Sequence, residues 1–587
     1  MAPPVDRQGV DDHVIKVMVV GDSISHGREG DWTWRYRIWE WFCQQGIRVL
    51  FVGPYKGTVP PDEPEPPRPP PLASEPSQHP PPLRTGGGYA ADVAHEFLEH
   101  SNHFSASGRQ AYHAQWLIGE QVAAYEPHIC FVQLGFNDLA WRKTGPKDTL
   151  ESIKHLIDEA RSVKPDLKFA VANVPHRTDL PGRPDLPVNT DIYNALLARS
   201  IPSWNSPESP IALVRLCENY SCGGTTSEAA YDGLHPNALG EYQLAQAFSR
   251  VLVSSLHLGR AELVIPEQIP PRPIPTPANF LAVAAPSGIV VTWDPVYGAY
   301  GYDIRARLAG SADWPPGCYV ACNRYDTRYC VAGQVWEYQV RACAGDGVRS
   351  RWSGVASAVA RPETAPGPRN IVTHATPTGF TIAWEPPPPP SPPSRGEFAG
   401  EVDRYGVLVL DTDTPGSFPR AEGVRGERAE LSGLTPGHRY NVAVETWTGV
   451  GGGLPAGARS VAVGRGTPPA PPWVRAVVVN DTAVELRWVG DPSAAGYGVW
   501  IRNVCAVGCE ARRLCDVSPD PEPSDPRLRK CLLSNLLPSV WDFRFAVSAY
   551  NGNDDSGLSE WVVAPFLAHE EPSVGERDSI RITVRYA

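Results

Sequence analysis

Val14-Ile15-Lys16-Val17-Met18-Val19-Val20-Gly21-Asp22-Ser23-Ile24-Ser25 is a short, β-branched, nearly all-apolar run that breaks at a glycine and delivers a hydroxyl. Such a run marks a strand buried on both faces of a parallel sheet. Gly27 to Gly30 then lead into a helical stretch, Trp32 to Gln45. Ser23 therefore falls just beyond the carboxyl end of a strand, where ligands gather in open α/β sheets. Its own N–H, close to the positive end of a helix, is placed to help hold an oxyanion. Taken alone, Gly-Asp-Ser is also ordinary turn chemistry.

Two further segments change that balance. A second buried strand, His128 to Leu134, is followed by Gly135-Phe136-Asn137-Asp138. Gly135 lets the backbone turn, and the Asn137 amide can then point across the strand tips toward Ser23. Late in the same region, Asp232-Gly233-Leu234-His235 stands on a loop before a helix that starts near Asn237. The three-residue spacing lets Asp232 accept from one imidazole nitrogen while the other faces Ser23. Nucleophile, base, orienting acid and oxyanion donor are the parts of an acyl-transfer site.

The elements around these motifs alternate. Strands are expected at 14–20, 47–52, 128–134, 168–174 and 211–216, with helices near 32–45, 108–126, 147–163, 189–199 and 237–256, the pattern of a parallel sheet covered on both faces. Val59 to Leu83 interrupts it with a proline-dense stretch, which is expected as an extended surface loop. It either borders the substrate cleft or is a tolerated insertion. Trp32, Trp34, Trp39 and Trp41 cannot all face one way on a helix, so most are expected to pack on the sheet rather than form a sugar platform. His95, His100, His103 and His113 fit no standard metal spacing and are expected as solvated loop residues.

With these blocks in place, residues 14–258 resemble an SGNH hydrolase, the GDSL-type esterase superfamily. The resemblance implies a flavodoxin-like three-layer α/β/α fold. Ser23 then matches the nucleophile, Asn137 the side-chain oxyanion donor, and Asp232 and His235 the Asp-x-x-His block. The remaining glycine, whose N–H completes the oxyanion hole with those of Ser23 and Asn137, falls in Arg84-Thr85-Gly86-Gly87-Gly88-Tyr89-Ala90. Gly88 fits best among Gly86, Gly87 and Gly88 because an aromatic follows it. The Gly-x-Ser-x-Gly elbow of α/β-hydrolases is absent around Ser23. The implied mechanism needs no metal or other cofactor.

After Pro266 the texture changes. A proline-rich linker (259–275) precedes three segments of short alternating strands, expected at 276–362, 366–467 and 470–566, with a tail at 567–587. Each carries a tryptophan on an early strand (Trp293, Trp384, Trp488), a tyrosine on the next (Tyr302, Tyr405, Tyr497) and a late alternating aromatic strand. A repeat of this kind is a tandem β-sandwich. It resembles three fibronectin type III modules, of which the middle one has a tyrosine at the corner position, Tyr440; the others carry Trp336 and Phe543 there. Pro386 to Pro393 is expected as a loop insertion.

Bulk properties bound the rest. A chain of 587 residues is several domains, and 42% apolar content is ample for their cores. A formal charge of −12 argues against nucleic-acid or anionic-membrane partners, and with a mean hydropathy of −0.28 no run reaches a membrane span. Of 12 cysteines, Cys318, Cys322, Cys330 and Cys343 form one cluster, Cys505, Cys509, Cys515 and Cys531 another, and Cys217 and Cys222 a pair. Even, local clusters favour disulfides and an extracellular compartment over zinc. Cys43 and Cys130 are expected as buried thiols. Met1 to Gln8 lacks the apolar core of a signal peptide, which leaves an incomplete start or unconventional export.

The leading reading is a serine esterase followed by spacer or binding modules that engage polysaccharide or protein. Its block pattern resembles carbohydrate esterases that remove acetyl groups. The alternatives are an adhesion or carbohydrate-binding protein with a vestigial hydrolase domain, and a lipid or thioester hydrolase.

Overall fold

The computed structural model describes residues 14–75, 83–344, 347–388, 401–504, 510–520, 525–536, 542–564 and 583–585. Its first part is a parallel sheet of six strands: β1 (Ile15–Gly21), β2 (Val49–Phe51), β3 (Phe104–Ser105), β4 (Ile129–Gln133), β5 (Lys168–Ala172) and β6 (Ile211–Val214). The order is β2-β1-β4-β5-β6, with β3 pairing the end of β1 at Val20–Phe104. Apart from short β3, this is the flavodoxin-like order, whose direction of winding reverses between β1 and β4. Val17 to Val20 of β1 are fully buried, as a central strand with both faces covered requires.

The helix Thr33–Gln44 turns Trp34, Ile38, Trp41 and Phe42 inward, one apolar stripe at helical spacing. Trp34 stacks on Phe248 of the helix Ala238–Ser254 at 4.6 Å and 7°, and lies 6.4 Å from Phe131 of β4, so it joins both helices to the sheet. The helices Pro146–Val163 and Asp185–Trp204 follow strands that wind the other way, and right-handed crossovers put them on the opposite face. The tryptophans at 32, 34 and 41 are buried, with Trp39 packed at the margin.

Several expectations need correction. The helix expected at 108–126 is two pieces, Ala111–Ala114 and Ile118–Tyr125. His103 is fully buried: its Nε2 lies 3.0 Å from the Gly57 carbonyl and its Nδ1 accepts from Ser105 N–H. Cys43 is exposed, because it stands on the outer side of its helix, while Cys130 is buried. The ten described cysteines are free thiols; Cys330, for example, donates to the Thr327 carbonyl. Cys505 and Cys509 lie outside the described residues.

The proline-dense stretch is anchored at its start and again at Pro70–Glu75. Val59 exchanges backbone hydrogen bonds with Gly27 and Glu29, beside the Ser23 turn. Further on, Pro71 accepts from Gly423 N–H at 3.0 Å, Pro70 accepts from Arg404, and Glu75 pairs with Arg404 at 2.8 Å. It is a strap from the α/β domain to the edge strand Arg420–Val424 of the second sandwich.

Each β-rich segment is a pair of antiparallel sheets. The first has Leu281–Ala285, Gly288–Thr292 and Arg324–Thr327 in one sheet, and Cys318–Val320, Gly301–Leu308, Val335–Cys343 and Ala356–Val359 in the other. The repeated Trp–Tyr pairs meet edge-on at the same place in all three cores, at 5.1 Å (Trp293–Tyr302), 5.2 Å (Trp384–Tyr405) and 5.4 Å (Trp488–Tyr497). The expected tail contributes a strand, Thr583–Arg585, to the third segment's Leu528–Ser534. Most of the proline run after 386 lies outside the described residues. Tyr440 is buried and its hydroxyl accepts from Thr435 N–H at 3.0 Å. Tyr440→Phe strands that donor, so the second sandwich should lose about 1–3 kcal/mol, read as a lower unfolding midpoint in denaturant.

Candidate active site

The pairing of β1 with β4 runs to Gly21–Gln133, so the two strands end side by side at the reversal of the sheet. Ser23 leaves the first tip and Asn137 the second. Asp22 caps the short helix Ser23–His26 by accepting from Ile24 N–H at 2.9 Å. Beneath it, Ser25 donates to Gln133 at 2.8 Å, which locks the Ser23 turn to β4. Arg35, fully buried, donates to the carbonyls of Ser25, His26, Gly57 and Ser101.

Asn137 lies on the turn Phe136–Ala140, entered through Gly135 at φ 115°, a backbone shape that favours glycine. Its Nδ2 donates to the Arg109 carbonyl at 3.0 Å, which fixes the amide plane and leaves its second N–H for a ligand. Asp138, the next residue, accepts from Ala111 and Tyr112 N–H and pins this turn to the neighbouring helix.

His235 joins the two remaining parts. Its Nε2 is 2.8 Å from Ser23 Oγ and its Nδ1 is 2.7 Å from Asp232 Oδ2. Asp232 Oδ1 accepts from the backbone N–H of both Leu234 and His235. Burial pushes the Asp232 carboxyl up, but the hydrogen bond and charge of His235 outweigh it and hold the group at about 2. The loop is fastened from behind: Gly233, at φ 81°, offers its carbonyl to Thr178 N–H and to the Cys222 thiol. A side chain at 233 would collide with Thr178, which explains the glycine within this block. Tyr231 stacks against the imidazole at 5.8 Å and 23°.

Gly88 sits on a loop whose carbonyl accepts from Gly30 N–H at 3.1 Å and Thr58 Oγ1 at 2.9 Å. Its own N–H has no hydrogen-bond partner among the described residues. Gly86 and Gly87 instead donate to Lys56 and Thr58, so of the three glycines Gly88 has the N–H to offer.

Asp22 is fully buried and one of its oxygens has no partner. Desolvation raises its carboxyl to about 7. The unfolded chain loses this proton near 4, the folded one near 7, so over that window the folded state holds more protons and stability falls as pH rises. Asp22→Asn keeps the cap without the ionisation. Its α/β domain should match the wild type near pH 4 and exceed it at pH 8 by about 3–5 kcal/mol, measured by denaturant unfolding at the two pH values.

Of the residues that the sequence singles out, Ser23, His235 and Asp232 are joined by hydrogen bonds, and Asn137 lies at the adjoining strand tip. The sequence does not mark the supports: Arg109, whose carbonyl aims Asn137, Cys222 and Thr178 behind the Asp232–His235 loop, and Tyr231 beside His235. Tyr231 adjoins the Asp-x-x-His block, and that adjacency was its only signal. Among the described residues no cluster of three or more His, Cys, Asp or Glu side chains has a metal-holding arrangement, and no helix is long and apolar enough to cross a membrane.

Comparison with known proteins matches residues 76–242 to the GDSL-like Lipase/Acylhydrolase family and residues 365–462 to the Fibronectin type III domain. The first match spans Gly88, Asn137, Asp232 and His235 and begins after Ser23. Human Protein sidekick-1 is 29% identical over 169 residues, 28% of this chain and 7% of that protein. Human Receptor-type tyrosine-protein phosphatase F is 27% identical over 263 residues, 42% of this chain and 13% of that protein. The chain thus spans only a small part of these curated relatives, and the similarity lies in the sandwiches. A solved carbohydrate esterase family 3 structure from Talaromyces cellulolyticus is 20% identical, covering 42% of this chain and 99% of its own, with a TM-score of 0.31. The chain therefore carries a GDSL-like lipase/acylhydrolase domain, built on a parallel α/β sheet, followed by fibronectin type III sandwiches.

Proposed function

We propose that the chain is a serine esterase acting through Ser23, His235 and Asp232. The observation that carries the reading is the unbroken hydrogen-bonded series Asp232–His235–Ser23 at the tip of β1. His235 Nε2 takes the Ser23 proton as Oγ attacks an ester carbonyl carbon. The Ser23 and Gly88 N–H groups and the Asn137 amide receive the oxyanion. The tetrahedral intermediate collapses, His235 protonates the departing alcohol, and water, deprotonated by the same imidazole, releases the acid. Asp232 stays ionised and holds the tautomer with the proton on Nδ1.

The block pattern resembles that of carbohydrate esterases, and we extend the reading to acetyl groups on a polysaccharide outside the cell, where fibronectin-type sandwiches are at home. The test compares acetate with long-chain p-nitrophenyl esters, then follows acetic acid release from acetylated polysaccharide. Acetate preference with release from the polymer supports the reading; long-chain preference moves the substrate to lipids. Asn137→Ala should lower kcat about 10²- to 10³-fold with KM nearly unchanged, since the amide acts only on the charged intermediate.

A further inference from the structure

The first sandwich touches the hydrolase domain at the loops that carry the candidate site. Its contact includes the turn Val296–Tyr300, between the strands Gly288–Thr292 and Gly301–Leu308. At the loop that carries Gly88, the Tyr297 hydroxyl donates to the Tyr89 carbonyl at 2.5 Å. Its ring lies so near Gly88 that a side chain at 88 would overlap it. Gly30 and Gly298 meet backbone to backbone beside it, with no room for a side chain at 30.

Tyr300 reaches the loop that carries His235. Its ring meets Tyr231 edge-on at 4.4 Å, and Tyr231 in turn stacks on His235. Its buried hydroxyl donates to Asp31 Oδ1. Asp31 is itself the knot of the loop after the nucleophile: Oδ2 accepts from Arg28 N–H at 2.7 Å and its carbonyl accepts from Ala90 N–H at 2.9 Å. Gly30 N–H, one residue away, holds the Gly88 carbonyl. The counter-charge for this buried carboxylate comes from the linker, where Arg272 pairs with Asp31 at 3.1 Å. Arg272 and Arg28 also lie over the Tyr300 ring, at 4.8 and 5.5 Å.

A buried acid that takes one backbone N–H from its own domain, but whose side-chain partners Tyr300 and Arg272 both lie outside it, is not fully satisfied by the α/β domain alone. We propose that the first sandwich is part of the esterase site, with Tyr297 and Tyr300 as positioning residues: Tyr297 holds the Gly88 loop and Tyr300 holds both the Asp31 loop and the Tyr231–His235 stack. The inference rests on the serine-esterase reading above. It assigns the sandwich a task other than spacing, because misplacing an oxyanion donor or a base by about 1 Å costs on the order of 10²-fold in rate.

The test is steady-state hydrolysis of p-nitrophenyl acetate by the full chain, for wild type, Tyr297→Phe, Tyr300→Phe and Tyr300→Ala, each with its unfolding midpoint. Tyr440→Phe, in the second sandwich, serves as the control for stability loss away from the site. The expected result is a fall in kcat with KM within about twofold: roughly tenfold for Tyr297→Phe and Tyr300→Phe, and on the order of 10²-fold for Tyr300→Ala, which also loses the ring against Tyr231. Partial recovery in Tyr300→Phe relative to Tyr300→Ala is part of the expectation. Tyr440→Phe should be less stable yet keep its kcat. Should Tyr300→Ala not fold, the two phenylalanine variants carry the test, since each removes a single hydroxyl. Folded phenylalanine variants with wild-type kcat would overturn the inference and leave the sandwich as a spacer, with the esterase reading intact. A folded wild type with no turnover would instead overturn the esterase reading, and this inference with it.

Discussion

Ser23→Ala is expected to lower kcat for a p-nitrophenyl ester by about 10⁵- to 10⁶-fold while the α/β domain keeps its stability. The size follows from the proposed mechanism: without Oγ no acyl-enzyme forms, and what remains is the oxyanion site acting on water. Stability should hold because Ser23 contributes one hydroxyl, hydrogen-bonded to His235, whereas the turn around it is fixed by other groups. Asp22 caps it, Ser25 ties it to Gln133, and Arg35 binds the carbonyls of Ser25 and His26 from below. Parallel unfolding curves and progress curves for wild type and variant check both halves of the expectation.

The second large effect is expected from Asp232→Asn, a fall in kcat of about 10⁴-fold. The substitution is nearly isosteric, so the loop should survive: an amide oxygen can still accept from Leu234 and His235 N–H, as Oδ1 does now. The amide nitrogen then faces His235 Nδ1 in place of Oδ2. Two donors cannot share that bond, so Nδ1 becomes the acceptor and the proton moves to Nε2. His235 then presents an N–H to Ser23 and cannot take its proton. A crystal structure of the variant with an unmoved loop, together with the rate, would separate this tautomer effect from collapse of the site.

The core of the site was legible because its members stand at strand tips, where local pattern and chemistry coincide. The run at 14–20 places Ser23, the run at 128–134 places Asn137, and the spacing of Asp232 and His235 is itself the geometry of their hydrogen bond. What escaped depends on contacts between distant segments. No periodicity marks Tyr297 or Tyr300, since a sandwich loop that docks on another domain reads like any turn. His103 lies in a loop-like stretch, and only the fold buries it against Gly57. β3 is two residues long, too short to give a pattern. The helix Asp185–Trp204 extends beyond the expected 189–199 because Pro187 falls in its first turn, where the missing N–H costs nothing. The proline stretch read as extended, as it is, but its grip on Gly423 and Arg404 follows from how the second sandwich lies against the first domain.

Labelling the full chain with a fluorophosphonate, and locating the adduct by mass spectrometry, reads out whether Ser23 is the nucleophile of an esterase. The expected result is one phosphonyl group per chain, on the tryptic peptide that contains Ser23, formed in parallel with loss of esterase activity and absent from Ser23→Ala. An active protein that gains no label at Ser23, or a Ser23→Ala variant that is labelled and inactivated as fast as wild type, would contradict it.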